Sequence, residues 1–588
     1  MSSAGGLPAP QSPDPKRNPV LAWLDSRIGY TGIIKMLLDE PIPGGARWWY
    51  VFGSVLTFIL SIQILTGIFL AAFYSPASNT AWASVAFIQD QLALGWFVRG
   101  LHSTGASAMV IMTVLHLAQV LIYGAYRAPR EMNWIVGVSM LGLVLAFALT
   151  GYLLPWDQKG YWATQVATSI ISTTPLIGPE LQKLLQGGSE YGSFTITHFY
   201  ALHTYVLPGI IIGALLLHLY LFRRHGVTPK WDMSQQELVK KTQPFWPDQL
   251  YRDIVACGIT FLAIVLIVLR THGAELEAPA DPSSTYVARP EWYFLPLFQI
   301  LKYFEGPLEI IGTMVLPGIA SALLIGLPFL DRSPSRDPRR RLVVLIGAFA
   351  GLGSVAMLGV LAFKHDSSDP YFIRQRAEAS EQAETARRLA LQGVPPAGGT
   401  AVFTNDGFYR AREIWSDKCN GCHALTGKGG ENGPDLHDYN SRHWISTFLQ
   451  NPDGPLHMGP AKIERGMKPV KGTPEELAIL TELVYSQTGA SDVNTALLEK
   501  SKELFSEKDC DSCHDLDGTT ENTGPNLKDR GTLKWVASVI ADSGHPLLFG
   551  KKDKMPTFSD KLTPEEIDLM ARFIISLKKT EPTAQTGH

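Results

Sequence analysis

Four histidines lie in two apolar stretches of this 588-residue chain, and two Cys-x-x-Cys-His boxes lie in its polar tail. His102 and His116 share LHSTGASAMVIMTVLH, and His203 and His218 share LHTYVLPGIIIGALLLH. An imidazole inside a bilayer is costly unless it is paired or ligates something. The boxes are Cys419-Asn-Gly-Cys422-His423 and Cys510-Asp-Ser-Cys513-His514. That pattern attaches c-type haem, with two thioether cysteines and a proximal histidine. The residue types together point to two haems within a membrane and two more outside it, which is a path for electrons.

Helices must position the four histidines. The steps are 14 residues from His102 to His116 and 15 from His203 to His218. Both steps return close to the same helix face, with ligands roughly 21–23 Å apart along the axis. Two such helices would stack two bis-histidine haems, His102 with His203 as the outer pair and His116 with His218 as the inner pair. Gly53 and Gly67 lie 14 apart in one apolar run, as do Gly137 and Gly151 in another. Missing side chains let a flat macrocycle approach the backbone, although small residues also serve plain helix packing. Arg99, just outside His102, is a candidate partner for a haem propionate.

The rest of the chain supplies a membrane frame. It is 46% hydrophobic with a formal charge of −3, which gives no basis for nucleic-acid binding. Seven spans are predicted, roughly 50–73, 100–123, 134–154, 201–222, 254–269, 308–329 and 342–363, the fifth short enough to recruit flanking residues. The run 292–303 is too short to span. Arg127, Arg130, Arg223, Arg224 and a cluster from Arg332 to Arg341 fall in one set of loops, which the positive-inside rule places in the cytoplasm with the N-terminus. Seven spans then put the tail outside, where c-type haem is attached. Of five cysteines, four belong to the boxes, and Cys257 reads as a small buried side chain.

The expectation is an all-α chain: a seven-helix transmembrane haem-binding bundle followed by two small α-helical cytochrome c domains. Its parts would be a disordered cytoplasmic arm (1–46), a four-helix domain with two b haems (47–225), a three-helix domain (226–364), a partly helical linker (365–400), and two c domains (401–490 and 491–588).

The first 225 residues resemble cytochrome b of quinol:cytochrome c oxidoreductases, the chloroplast-type bf branch above all, through the 15-residue step and the run GYLLPWDQKGYWA (151–163). Residues 226 to about 364, with Arg289-Pro-Glu-Trp-Tyr-Phe294, resemble subunit IV of bf complexes. The resemblance implies quinol oxidation at the outer surface, with Glu291 accepting a quinol proton and Tyr293, Pro155 and Trp156 lining the pocket. A carboxylate at an apolar boundary can do such work. It also implies a Rieske iron–sulfur partner, since this chain has no Cys-x-His motif, and a homodimeric complex with additional subunits. The downstream acceptor would be a cytochrome c, an oxidase or a reaction centre. Val51 stands where the bf branch has a cysteine that tethers a further haem.

The tail is an internal repeat. Eleven residues after each haem histidine comes Pro434 or Pro525, then Trp444 or Trp535, then Met467 or Met555 ahead of a helix opened by Thr-Pro-Glu-Glu. These spacings resemble class I cytochrome c and make Met467 and Met555 sixth ligands, with Met458 and His457 competing in the first repeat. Two rival functions remain: a linear haem conduit without bifurcation, and a membrane-anchored c cytochrome with a structural b part.

Overall fold

The computed structural model describes residues 18–461, 467–519, 521–550 and 554–578. The arm at residues 1–17 therefore lies outside the described residues. From Pro19 onward the expected disorder is replaced by two short helices, Pro19–Ile28 and Tyr30–Leu38. Asn18 caps the first by accepting from the Val20 N–H, and the Asp25 carboxylate accepts from Thr31 N–H at 2.8 Å to hold the second.

Among the described residues seven helices are long and apolar enough to cross a membrane, which makes this a membrane protein. They are α1 (Phe52–Phe73), α2 (Gly95–Tyr123), α3 (Glu131–Leu153), α4 (Ser193–His225), α5 (Phe245–Thr271), α6 (Ile311–Leu330) and α7 (Leu342–Ser368). Leu216, Ile259 and Val343 are exposed on these helices, as expected of surfaces solvated by lipid tails. The fifth span does gain its flanking residues. α1 packs on α2 and α3 on α4, so the histidine-bearing helices each lie against a glycine-bearing one.

α4 contains a π turn at Leu202–Val206, just ahead of Pro208. A π turn absorbs one extra residue. The 15-residue step from His203 to His218 thereby becomes equivalent to the 14-residue step of α2. Between α6 and α7, the ion pair of Arg341 and Asp331 is fully buried at 2.9 Å, and Tyr126 donates to the same carboxylate at 2.6 Å.

The expected linker is instead folded. α8 (Pro370–Ala390) buries Ala386, Leu389 and Ala390 with Trp82, Val85, Leu276 and Val402. The chain divides into two compact units at Phe403/Thr404.

The second unit holds α9 (Tyr409–Ile414), α10 (Arg442–Gln450), α11 (Pro474–Ser486), α12 (Ser501–Glu507), α13 (Leu533–Asp542) and α14 (Pro564–Ser576). Thr473 and Thr563 build matching capping boxes with Glu476 and Glu566. The expected boundary at 490/491 does not separate two cores, because one cluster runs through both repeats. α9 of the first repeat packs on α14 of the second, with Phe408 and Trp415 against Phe573 and Arg410 paired to Glu566 at 2.7 Å. Reciprocally, α11 of the first repeat packs on α12 of the second, where Lys508 pairs with Glu476 at 3.0 Å. The two repeats have exchanged their leading helices.

Candidate functional site

The four intramembrane histidines meet as two pairs. The ring centres of His102 and His203 are 6.1 Å apart, and those of His116 and His218 are 6.5 Å apart. Metal–imidazole bonds of about 2 Å on either side of one ion would separate ring centres by about 6.4 Å. Each ring also faces one of the predicted glycines. A Cβ at Gly67 would lie 3.3 Å from His102 Cε1, and one at Gly151 only 2.6 Å from His203 Cε1. The corresponding distances are 3.8 Å from Gly53 to His116 and 3.2 Å from Gly137 to His218. These residues form cradles that side chains would fill, and they fit a bis-histidine haem at each level.

The two levels differ in a way not read from the sequence. Thr66 Oγ1 donates to the Ile62 carbonyl at 2.6 Å, so it accepts from His102 Nδ1 at 2.9 Å. Thr150 does the same for His203, donating to Ala146 at 2.8 Å and accepting at 3.2 Å. The bond fixes the tautomer that leaves Nε2 free to ligate. Nδ1 of His116 and of His218 is buried with no such partner among the described residues. The signal was present as the repeated Leu-Thr-Gly at 65–67 and 149–151.

Arg99 does not serve as expected. Its terminal nitrogens are committed to Gln89 Oε1 (2.7 Å) and to the carbonyls of Ala274 (2.8 Å) and Glu275 (2.6 Å). It holds the loop after α5 rather than a propionate.

That loop carries Glu291, and it is stitched to the turn after α3. Gln158 N–H donates to Ala278 O at 2.9 Å, Ala280 N–H to Trp156 O at 3.0 Å, and Glu277 N–H to Asp157 Oδ2 at 3.2 Å. Asp157 also caps the helix Gln158–Ser172 through Gly160 N–H. Farther along, Arg289 grips Asp366 with two bonds of 2.8 and 2.9 Å and lies over the Phe372 ring. Glu291 thereby faces a cavity of about 600 Å³ and pairs with Lys159 at 3.0 Å. Burial and the neighbouring Glu291 carboxylate push the Tyr293 phenol up. Pro155 sits half-buried in the turn. Of the four residues expected at the quinol pocket, Glu291 lines this cavity and Tyr293, Pro155 and Trp156 do not; Trp156, at a positive φ of 50°, is buried with Tyr161 and Phe199.

In the tail each proximal histidine is oriented alike. His423 Nδ1 donates to Pro434 O at 2.9 Å, and His514 Nδ1 to Pro525 O at 2.8 Å. Gly433 and Gly524 lie against those rings, where a Cβ would come within 2.8 and 2.6 Å. Cys419 and Cys510 are half-buried, and Cys422 and Cys513 are exposed. Trp444 donates to Asp435 O, whereas Trp535 Nε1 is buried with no partner among the described residues. Val470 N–H bonds to Leu449 O and Phe558 N–H to Ala541 O. Met467 and Met555 each precede those residues by three, which puts them in structural register. His457 packs edge-on against Trp444, and its Nε2 bonds Thr447 at 3.2 Å. Burial lowers its proton affinity to a pKa of about 4.

A helical membrane bundle with paired, cradled histidines defines a class of intramembrane electron carriers, and similarity to known proteins is consistent with it. Residues 37–226 match the family model "Cytochrome b/b6/petB", residues 279–379 match "Cytochrome b(C-terminal)/b6/petD", and residues 496–574 match "Cytochrome C oxidase, cbb3-type, subunit III". The cytochrome bc complex cytochrome b subunit of Chlorobaculum thiosulfatiphilum is 34% identical over 57% of this chain and 78% of its own length. Cytochrome b of Rickettsia bellii is 32% identical over 62% of this chain and 91% of its own. The chain spans only 47% of the Bradyrhizobium diazoefficiens cytochrome b/c1, at 34% identity over 55% of this chain. A solved structure, "Hyperthermophilic respiratory Complex III", shares the fold with a TM-score of 0.51 at 24% identity, covering 65% of this chain and 99% of its own. The chain belongs to the cytochrome b family and carries a cytochrome c domain in its tail, and these domains imply haem.

Proposed function

We propose that this is the fused cytochrome b–cytochrome cc subunit of a quinol:cytochrome c oxidoreductase in a bacterial inner membrane. Its N-terminus faces the cytoplasm and its c domains the outer side. His102 and His203 hold the outer b haem, His116 and His218 the inner one, and the two boxes hold two c haems with Met467 and Met555 as sixth ligands. Residues 47–225 form the b-haem domain and 226–364 the subunit IV-like domain. The haems, when bound, supply one-electron transfer across and beside the bilayer.

The protein's own residues handle the protons and the substrate. Quinol binds on the outer side near Glu291 and Tyr293, with Pro155 shaping the turn, and Glu291 accepts a proton. One electron leaves to a separate Rieske protein and onward to the c side, and the other to the b side, where quinone is reduced near the cytoplasm. The complex is dimeric. The observation that carries this reading is the pair of ring separations, 6.1 and 6.5 Å, each with a glycine against each imidazole.

The test is quinol oxidation by the purified complex with the inner quinone site inhibited, following b and c haems by their separate absorption bands. Simultaneous reduction of both, with b reduction lost on removing the Rieske protein, is expected. Reduction of the c haems strictly through the b haems, without a Rieske protein, would replace this reading with the linear conduit.

A further inference from the structure

Glu291 is not alone in its cavity. Lys159 Nζ lies 3.0 Å from Glu291 Oε1 and 3.2 Å from Glu275 Oε2, so one ammonium bridges the two carboxylates. Glu275 is mostly exposed, its side chain retaining 61% of its accessible surface, while Lys159 keeps only 23%. Glu277 lines the same cavity, and its Oε2 is buried with no hydrogen-bond partner among the described residues. An orphaned carboxylate oxygen is costly and calls for a proton or a water. A polar cavity of about 600 Å³ has ample room for water.

We propose that Lys159 and Glu277 form the outward proton route from Glu291, with Lys159 as a positioning cation and Glu277 as the carboxylate that next receives the proton. This rests on the quinol-oxidation reading. The quinol O–H bond breaks and an O–H bond forms on Glu291, while the electrons leave to the one-electron acceptors named above. Glu291 then loses the proton through cavity water to Glu277, which releases it past the exposed Glu275 to the outer aqueous phase. Lys159 anchors Glu291 at the cavity wall through the 3.0 Å ion pair.

The groups facing Glu277 fit the role. Its carboxyl is pushed up to about 7, first by burial, then by the charges of Asp157 and Glu275, against the lowering influence of Lys159 and of Arg376 on α8. Tyr286 also feels this charge, and burial chiefly keeps its phenol protonated. A relay carboxyl near neutrality can both take and give a proton at working pH.

The experiment compares pH–rate profiles of quinol oxidation by the intact complex for wild type, Lys159→Gln, Lys159→Arg and Glu277→Gln, with b-haem spectra confirming assembly. Removing the cation takes away a charge that lowers the Glu277 carboxyl, whose proton affinity therefore rises. The acidic limb of Lys159→Gln should therefore move to higher pH, and a one-unit move is an about tenfold loss of rate on that limb. Lys159→Arg should keep the wild-type profile, and Glu277→Gln should lose the inflection near pH 7 while slowing turnover. Superimposable profiles for an active wild type, Lys159→Gln and Glu277→Gln would overturn the relay alone. A haem-loaded wild type inert to quinol would remove the functional reading, and the relay with it.

Discussion

Replacing Gly151 by alanine should expel the outer b haem, whereas the same change at Gly53 should be silent. The new methyl at residue 151 would lie 2.6 Å from His203 Cε1 and 3.1 Å from its Nδ1. Ordinary carbon contacts need about 3.5–4.0 Å, so the ring or its helix must retreat by about 1 Å. Retreat would break the bond to Thr150 and press the ring toward Phe147, whose centre is 5.5 Å away. Overpacking of this kind costs about 1–3 kcal/mol, enough to lower haem affinity roughly 5- to 150-fold. At Gly137 and Gly67 the methyl would stand at 3.2 and 3.3 Å, and at Gly53 at 3.8 Å, already an ordinary contact. Reduced-minus-oxidised spectra and potentiometric titration resolve the two b components. Gly151→Ala should retain one, Gly53→Ala both, and the other two variants should fall between. Retention of both in Gly151→Ala, or loss in Gly53→Ala, would refute the idea that these glycines are sized to the imidazoles.

Four further outcomes follow from the geometry. Thr66→Val should raise the potential of the outer haem alone, because the threonine bond makes the imidazole a stronger donor to the oxidised metal; a bond of about 1 kcal/mol corresponds to roughly 40 mV for one electron, measured by titration. Arg341→Met should destabilise the bundle by about 3–5 kcal/mol, since it strands a buried carboxylate, while Arg341→Met with Asp331→Leu should recover most of that in thermal unfolding. Burial pushes the Asp331 carboxyl up, but bonds from Ser333, Tyr126 and Arg341 outweigh it and hold the group at about 2. Its stabilisation is therefore complete above its unfolded value near pH 4 and should fade as pH drops from there toward 2. Finally, ending the chain after residue 490 should leave no folded first c domain by circular dichroism, because α9 would lose α14 and α11 would lose α12.

Much of this was legible from spacing alone, because it depends on strong, local signals. Hydrophobic runs set the spans, and the histidine steps and glycine registers follow helix periodicity directly. What escaped depends on chain segments far apart. Lys159 looked like a stray loop charge, since its partners lie 116 and 132 residues away. α8 is rich in charged residues and looked like a tether, because only its alanine stripe and Leu389 meet the core. Trp156 was expected at a pocket wall, but it sits at a left-handed backbone position and is buried with Tyr161 and Phe199. Arg99 was expected near a cofactor, and carbonyls 175 and 176 residues onward claimed it.

The exchange of leading helices between the tail repeats bears on how the protein is made. A ribosome delivers α9 about 150 residues before α14, and domains otherwise tend to close in order of synthesis. Here α9 finds its apolar partner Phe573 only when α14 has arrived. The first repeat therefore cannot complete its helix packing before the second has been made. If the two boxes carry haem as proposed, attachment at both would have to be coordinated with the docking of α9 on α14.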